Sequence, residues 1–599
     1  MIKFPSLGLI AEALIFVARR FPGACLAALI GITAVWVLAN YAILPQSAAP
    51  VWTRLWMLGQ LGLPWLFALR VWGESRGWDA RWLWAAQALG LVPLGVYYFF
   101  ISDVESGHFD RVEIPRYFSL LFSAHLLAAV APYLSRASVA DFWEYNRRLF
   151  AHFVVGGLYA MVIFLGLTFA IVAIDQLFDI NFYSRVYLRL AALVFGGFLT
   201  VYFLWHAPRR FDFGEEDAQL DVVLRNLCKY ILIPIVAVYF LILYAYAARI
   251  LVNWELPRGW VSGLSLGFSV AGIFTWLLNY NLPQQDGSPI VRIYRRWFWL
   301  AAAPIVVLLF VAIGRRISDY GVTEARFLTA HTGLWIALSC LYFFFSKKDD
   351  IRFIPISLIV FALGFSFGPF NAFEVSNRSQ LAQLKRELIL RDRFEGGFAK
   401  RGESRLSYEE ASGLNSGLAY FENKGARHRV YALFPFDEAA RKKYDNAGAL
   451  AEWLNISSYL SNTDPSMKQA FVMPHFEDSW TAVPLREKYD WFVKIDFSES
   501  AKDGMGVRMA QDGRMLECVR YTAGKSEVID RFPLAGALRY WWDLPAEYNT
   551  RYLRGENRQT QLRGQTHDLL LMVEQADLRQ KDSLIHVKSL QGLCFLKKR

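Results

Sequence analysis

The residues best suited to chemistry lie in two short polar stretches set between apolar runs. "NWELPRGW" holds Glu255 and Arg258 between Trp254 and Trp260, and "RRISDYGVTEAR" holds Arg315, Arg316, Asp319, Glu324 and Arg326. Arginine presents a planar fork that matches a phosphate or a carboxylate two bonds at a time. An unpaired charge beside hydrocarbon is expensive, so mixed signs at close spacing predict one assembled cluster. Such a cluster suits either the head group of a lipid-linked or anionic glycan, or the seat on which a C-terminal domain docks. The second stretch carries nearly enough acid to neutralise itself, which favours docking.

Other constellations are weaker. "PHFEDSW" sets His475, Glu477 and Asp478 close together, a metal-like grouping, but no second ligand cluster accompanies it. A solvated loop is the favoured reading and no metal is expected. His125 and His152 lie in neighbouring apolar stretches and could form a proton relay; a lone histidine there more often bonds a facing carbonyl. Asp175 ends "LTFAIVAID" at a membrane border, where a solvated or paired carboxylate is expected. No nucleophile elbow, Walker loop, HExxH or dinucleotide fingerprint occurs, so the chain is read as needing no cofactor and as more a binding protein than an enzyme.

The elements that would position these residues follow from composition. The chain has 599 residues, 55% hydrophobic and 16% aromatic, with a mean hydropathy of +0.25. Helical crossings need about 20 apolar residues, and about eleven stretches qualify between residues 22 and 370. The stretch at 51–71 is the weakest, diluted by Arg54 and Gln60. Residues 1–21 read as an amphipathic N-terminal segment, because Glu12 interrupts its apolar run and Arg19-Arg20 follows it, the wrong order for a signal peptide. Net charge is +11, but much of it is arginine in loops beside spans, which is a topology signal and not a nucleic-acid footprint. With the N-terminus cytoplasmic, lysine and arginine favour the inner connections by roughly two to one. An odd span count then puts the C-terminal domain outside, with both polar stretches.

After the transmembrane domain at 22–373, composition becomes that of a soluble protein. Residues 374–484 read as a mainly helical segment, with a capping box at Ser407 and Glu410, a stop at Gly425 and a strand-like "RVYALF". Residues 485–599 alternate in short runs, with Asp512-Gly513 as a hairpin signal, and predict an antiparallel β-sandwich or barrel-like extracytoplasmic domain. Cys518 and Cys594 are the two cysteines of that domain and form a candidate disulfide if it lies in an oxidising compartment. The fold class is therefore a polytopic α-helical membrane bundle followed by a soluble α+β domain.

The stretches "FWEYNRRLF", "NWELPRGWVS", "RRISDYGVTEARF", "SKKDDIRFIPIS" and "FGPFNAFEVSNRSQ" resemble, in order and spacing, the signature stretches of a bacterial multi-pass membrane family. That family is catalogued as the domain of unknown function (DUF) 4153, and the resemblance runs from about Phe142 to Arg391. It implies a bacterial polytopic membrane protein; it implies no activity and no catalytic residues.

Three functions are compatible with these features. The first is cell-envelope assembly or transport of a lipid or polysaccharide at the outer leaflet of the inner membrane. The second is a membrane-anchored sensor or scaffold whose outer domain binds an envelope ligand or protein partner. The third, a membrane glycosyltransferase, expects an acidic pair in the first large outer loop. "PQSAAPVWTR" has none there, although "SDVESGHFDRVE" offers Asp103, Glu105, Asp110 and Glu113 in the second.

Overall fold

The computed structural model describes residues 7–40, 48–101, 112–135, 138–178, 180, 182–213, 222–253, 261–281, 288–346, 349–407, 410–456, 468–474, 491–495, 504–510, 512–522, 525–544, 546–547, 550–553, 559–581 and 584–599. The chain forms two compact units. One comprises Met1–Lys400 with Ser416–Phe436, the other Arg401–Asn415 with Asp437–Arg599.

The first unit is helical. Its helices are α1 (Leu7–Arg20), α2 (Pro22–Leu38), α3 (Ala49–Ser75), α4 (Ala80–Phe100), α5 (Glu113–Val130) and α6 (Val139–Phe178). They continue with α7 (Ser184–His206), α8 (Leu227–Ile250), α9 (Val261–Leu278), α10 (Pro289–Tyr320), α11 (Glu324–Phe345) and α12 (Phe353–Ser366). Then come α13 (Ala372–Leu390) and, from Ser416 onward, α14 (Ser412–Asn423).

Seven of the described helices are long and apolar enough to cross a membrane: α4, α5, α6, α7, α8, α10 and α11. The pair α1–α2, bent by 111°, makes eight if it counts as one span. The expected eleven spans are not confirmed among the described residues. α3 is diluted by Arg54, Gln60, Arg70 and Glu74. α12 has 14 residues, too few for the roughly 20 that a hydrocarbon layer requires. Seven and eight differ in parity, so an odd span count no longer fixes the side of the C-terminal unit.

Large apolar side chains such as Leu158, Val162, Phe169 and Leu241 are exposed on the spans, as lipid-facing residues are. α2 and α3 cross closely: a Cβ placed on Gly59 would sit 2.6 Å from the Gly31 nitrogen. Small residues at a helix crossing let backbones approach, the commonest device where lipid provides no hydrophobic drive. In α10 the apolar stretch 297–314 is flanked by Arg295 and Arg296 on one side and Arg315 and Arg316 on the other. That stretch is about 27 Å long, close to the thickness of a bilayer core.

Contacts tie the helix ends into two polar layers. In one, Arg20 bonds Glu74 at 2.8 Å and the carbonyls of Ala207 and Pro208, while Arg70 shares Glu74. Tyr133 donates to the Phe211 carbonyl, Asp141 accepts from the Phe213 N–H, and Arg352 reaches the Tyr133 carbonyl and Asp350. The other layer gathers the α10–α11 turn, α13 and α14, described below.

The second unit holds two open sheets. Its strands are β1 (Lys468–Pro474), β2 (Trp491–Ile495), β3 (Gly504–Met509), β4 (Met515–Thr522), β5 (Lys525–Pro533), β6 (Ala546–Glu547), β7 (Thr550–Leu553), β8 (Gln559–Arg563), β9 (His567–Lys581) and β10 (Leu584–Lys598). The larger sheet runs β2-β10-β9-β1-β7-β6, with β8 also paired to β9. All its pairs are antiparallel except β1–β7. β3-β4-β5 form an antiparallel meander whose first turn uses Gly513 at φ +65°. Leu516 and Cys518 from the meander, Leu569, Leu571 and Cys594 from the larger sheet, and Trp541 from the helix Ala535–Asp543 share one core. The sandwich or barrel expected from the alternation is thus resolved into two sheets and a helix around that core.

"RVYALF" is not a strand. It forms helical turns at Arg427–Val430 and Tyr431–Leu433, in the first unit. Its alternating pattern is outweighed by the ion pair of Arg429 with Glu374 and by burial of Val430 and Leu433.

Candidate functional site

The turn between α10 and α11 is shorter than the sequence suggested. α10 continues through Arg315, Arg316 and Asp319 to Tyr320, leaving Gly321–Thr323 as the connection. Gly321 has φ +72° and ψ 178°, a region open essentially to glycine alone. Arg326 folds back and its Nη1 donates to the carbonyls of Tyr320 at 3.1 Å and Gly321 at 2.8 Å. It thereby satisfies acceptors that a helix C-terminus leaves open. From α13, Gln380 Nε2 donates to the carbonyls of Tyr320 and Val322, and Ser379 Oγ accepts from the Val322 N–H.

Glu324 opens α11. Its Oε1 accepts from the Tyr420 hydroxyl at 3.0 Å and its Oε2 pairs with Lys424 Nζ at 3.2 Å. Burial and the Glu324 carboxylate push the Tyr420 phenol well above its ordinary range. Beside it, Arg429 holds Glu374 through both terminal nitrogens, and that bond keeps the Glu374 carboxyl below its usual value.

Of the predicted cluster, Glu324 and Arg326 share this layer with residues from α13 and α14. Arg315 and Asp319 form a separate exposed pair at 3.7 Å along α10, and Arg316 is exposed. Glu255 and Arg258 lie outside the described residues, as do His475, Glu477 and Asp478. The later segment brings a hydroxyl, an amide and an ammonium group to a carboxylate and to carbonyls. The contact thus has the opposite polarity to carboxylates meeting arginines.

Below Glu324 lies a groove of about 420 Å³ between α5, α11 and α12. Glu324, Leu328, His331, Thr332 and Trp335 line it from α11 at helical spacing, facing Phe118 and Phe122 from α5 and Phe361 and Phe365 from α12. His331 Nε2 donates to the Phe361 carbonyl at 2.9 Å, and Ser119 bonds Ser366 at 2.6 Å. The groove is therefore mostly apolar, with one carboxylate at its end. Neither His331 nor Ser119 stood out in the sequence, where a lone histidine or serine on an apolar helix carries no sign of a neighbour.

Each of the two candidate relay histidines has a partner of its own, and His125 bonds a carbonyl as the favoured reading expects. His125 Nδ1 donates to the Leu121 carbonyl of its own helix, at 2.8 Å. His152 stacks on His206, with ring centroids 4.6 Å apart, and His206 Nδ1 donates to the Tyr202 carbonyl. About two turns before His152, Glu144 is buried and holds both Arg147 and Arg148. Asp175 accepts from the Phe182 N–H at 2.7 Å.

In the second unit Asp530 is a buried staple that the sequence pattern did not reveal. Its oxygens accept from the backbone N–H groups of Arg531, Gln565, Thr566 and His567 and from the Thr566 hydroxyl. Burial pushes this carboxyl up, and the four N–H groups outweigh it and hold it at about 2. Cys518 and Cys594 are free, buried thiols in this unit. Burial raises both, Cys518 to about 11.

Apolar spans closed at each end by a polar layer define the first unit as that of a multi-pass helical membrane protein. The chain belongs to the family described as Domain of unknown function (DUF4153), whose model matches residues 25–395. It is also 26% identical over 239 residues to Uncharacterized protein PM1469 of Pasteurella multocida (strain Pm70), covering 38% of this chain. The matched region spans 41% of the length of that relative. No solved structure matches the chain.

Proposed function

We propose that this protein acts in bacterial cell-envelope assembly, binding or moving a lipid, or a lipid-linked or anionic glycan, at the outer leaflet of the inner membrane. The observation that carries this reading is the groove between α5, α11 and α12. It has room for part of a hydrocarbon chain, and it ends at Glu324 beside Tyr420 and Lys424. A lipid tail fits the aromatic walls, and a sugar hydroxyl or a cationic head fits the carboxylate end.

The orientation proposed with it has the N-terminus cytoplasmic and the C-terminal unit extracytoplasmic. Support comes from the layer holding Arg20, Arg70, Arg147, Arg148 and Arg352, since arginine collects on cytoplasmic connections. A second reading, a membrane-anchored scaffold or sensor, is favoured by the occupation of Glu324 by Tyr420 and Lys424, which makes that end a seat for the following helices.

The test is a deletion strain complemented with wild-type protein or with the groove-filling variants Ala325→Trp and Ala362→Trp. Accumulation of a lipid-linked glycan in the deletion and in both variants supports lipid handling. Unchanged envelope lipids with altered abundance of one partner protein favour the scaffold.

A further inference from the structure

A second cleft, of about 510 Å³, opens at the start of α10, the end opposite Arg315 and Arg316. Arg295 belongs to its frame. Its Nη2 bonds Asp349 at 2.7 Å, its Nη1 donates to the Trp276 carbonyl, and its guanidinium lies 3.5 Å from the centre of the Trp276 ring. Trp276, Trp299 and Phe343 pack into one aromatic wall, with Trp299 stacked on Phe343 at 4.8 Å.

Arg292 and Arg296 line the same cleft and are exposed, and neither is held in an ion pair among the described residues. They are four residues apart on one helix, where like charges repel. An anion between them relieves that repulsion and meets two forked donors. Trp299 lines the cleft too. It is 4% exposed, and its indole N–H has no hydrogen-bond partner among the described residues. A buried donor without an acceptor is costly, so the indole N–H beside the cleft has an unmet need for one. Trp297, Leu300 and Phe344 line it as exposed apolar groups. A free anion leaves those side chains unused, whereas acyl chains cover them.

We propose that this cleft binds the phosphate head group of an anionic phospholipid. Arg292 and Arg296 clasp the phosphate, the Trp299 indole donates to one of its oxygens, and the acyl chains lie along Trp297, Leu300 and Phe344. The site is separate from the groove at Glu324 and stands independently of the function proposed for that groove. Basic pockets between membrane helices are established binders of such head groups.

The full chain is reconstituted in nanodiscs of phosphatidylcholine mixed with phosphatidylglycerol, and the lipids retained after release are counted by native mass spectrometry. The wild type should keep phosphatidylglycerol in preference to phosphatidylcholine. The variant Arg292→Gln/Arg296→Gln should lose that preference by about tenfold or more, as expected for losing charge-assisted bonds. Arg315→Gln/Arg316→Gln, at the other end of α10, should keep it. A double variant at 292 and 296 that retains the lipid like wild type overturns the proposal, as does a wild type with no preference. Displacement of phosphatidylglycerol by equimolar inorganic phosphate overturns it in favour of a free-phosphate site. If the double variant fails to fold, cross-linking decides, using a photoactivatable phosphatidylglycerol on the wild type. Labelling of peptides containing Trp297 or Phe344 supports the site, and labelling confined elsewhere overturns it.

Discussion

Arg20 and Glu74, 54 residues apart in sequence, meet at 2.8 Å, and the same arginine donates to the carbonyls of Ala207 and Pro208. One side chain thus ties the kink between α1 and α2 to the end of α3 and to the end of α7. Both partners are largely buried, and Glu74 also holds Arg70. Glu74→Gln therefore leaves two guanidinium groups without a counter-charge in a poorly solvated layer. The expected loss is about 3 kcal/mol or more. It should appear as a lowered unfolding temperature in detergent, while Asp79→Asn, at an exposed pair with Arg81, should leave that temperature unchanged.

The Asp530 staple predicts an acid dependence of the second unit. Its carboxyl is held at about 2 in the folded chain, below its ordinary value of 3.8. A depressed folded value means stability that is fully present above pH 4 and lost as pH falls toward 2, because protonation weakens four N–H bonds together. The contribution is about 2 kcal/mol. Asp530→Asn should remove it at neutral pH and flatten the acid limb of the unfolding curve. An acid limb unchanged by this substitution means that the staple is not what titrates.

Cys518 and Cys594 line one core, and burial holds their thiols protonated at neutral pH. Only thiolate reacts quickly with alkylating reagents. Neither cysteine should be modified in the folded protein at pH 8, and both should react on unfolding without reductant. Modification only after reduction would mean that the two are joined by a disulfide.

How far these features were legible in the sequence depends on the range of the interaction. Local signals were readable: the Ser407–Glu410 capping box forms its reciprocal bonds, and the turn before β4 uses Gly513. The family, too, could be read from the order of polar stretches along the chain. Span number was less legible: α3 carries Arg54, Gln60, Arg70 and Glu74 in an otherwise apolar helix, and α12 is short, so neither passes for a span on length and apolarity. The polar turn at Arg315–Arg326 reads as a loop by composition, yet helix propensity carries α10 on to Tyr320. The partners of Glu324 and Arg326 were invisible for a different reason. Tyr420, the partner of Glu324, is 96 residues away, and Arg326 bonds the nearby Tyr320 and Gly321 carbonyls only because the chain reverses at Gly321, a geometry that charge spacing does not encode.

Gly321 offers the sharpest check on that second polar layer. At φ +72° and ψ 178° it occupies backbone space that a side chain makes costly, and an added Cβ would lie 2.9 Å from Gln380 Nε2. Gly321→Ala should therefore cost about 1–3 kcal/mol and should also displace Gln380 from the Tyr320 and Val322 carbonyls. Gln380→Ala removes those bonds without strain and should cost less. If the glycine acts through the seat that α13 forms on this turn, Gly321→Ala and Gln380→Ala should combine to less than the sum of their separate effects. Strict additivity in detergent melting experiments would mean that the strained turn and the α13 contact are independent features.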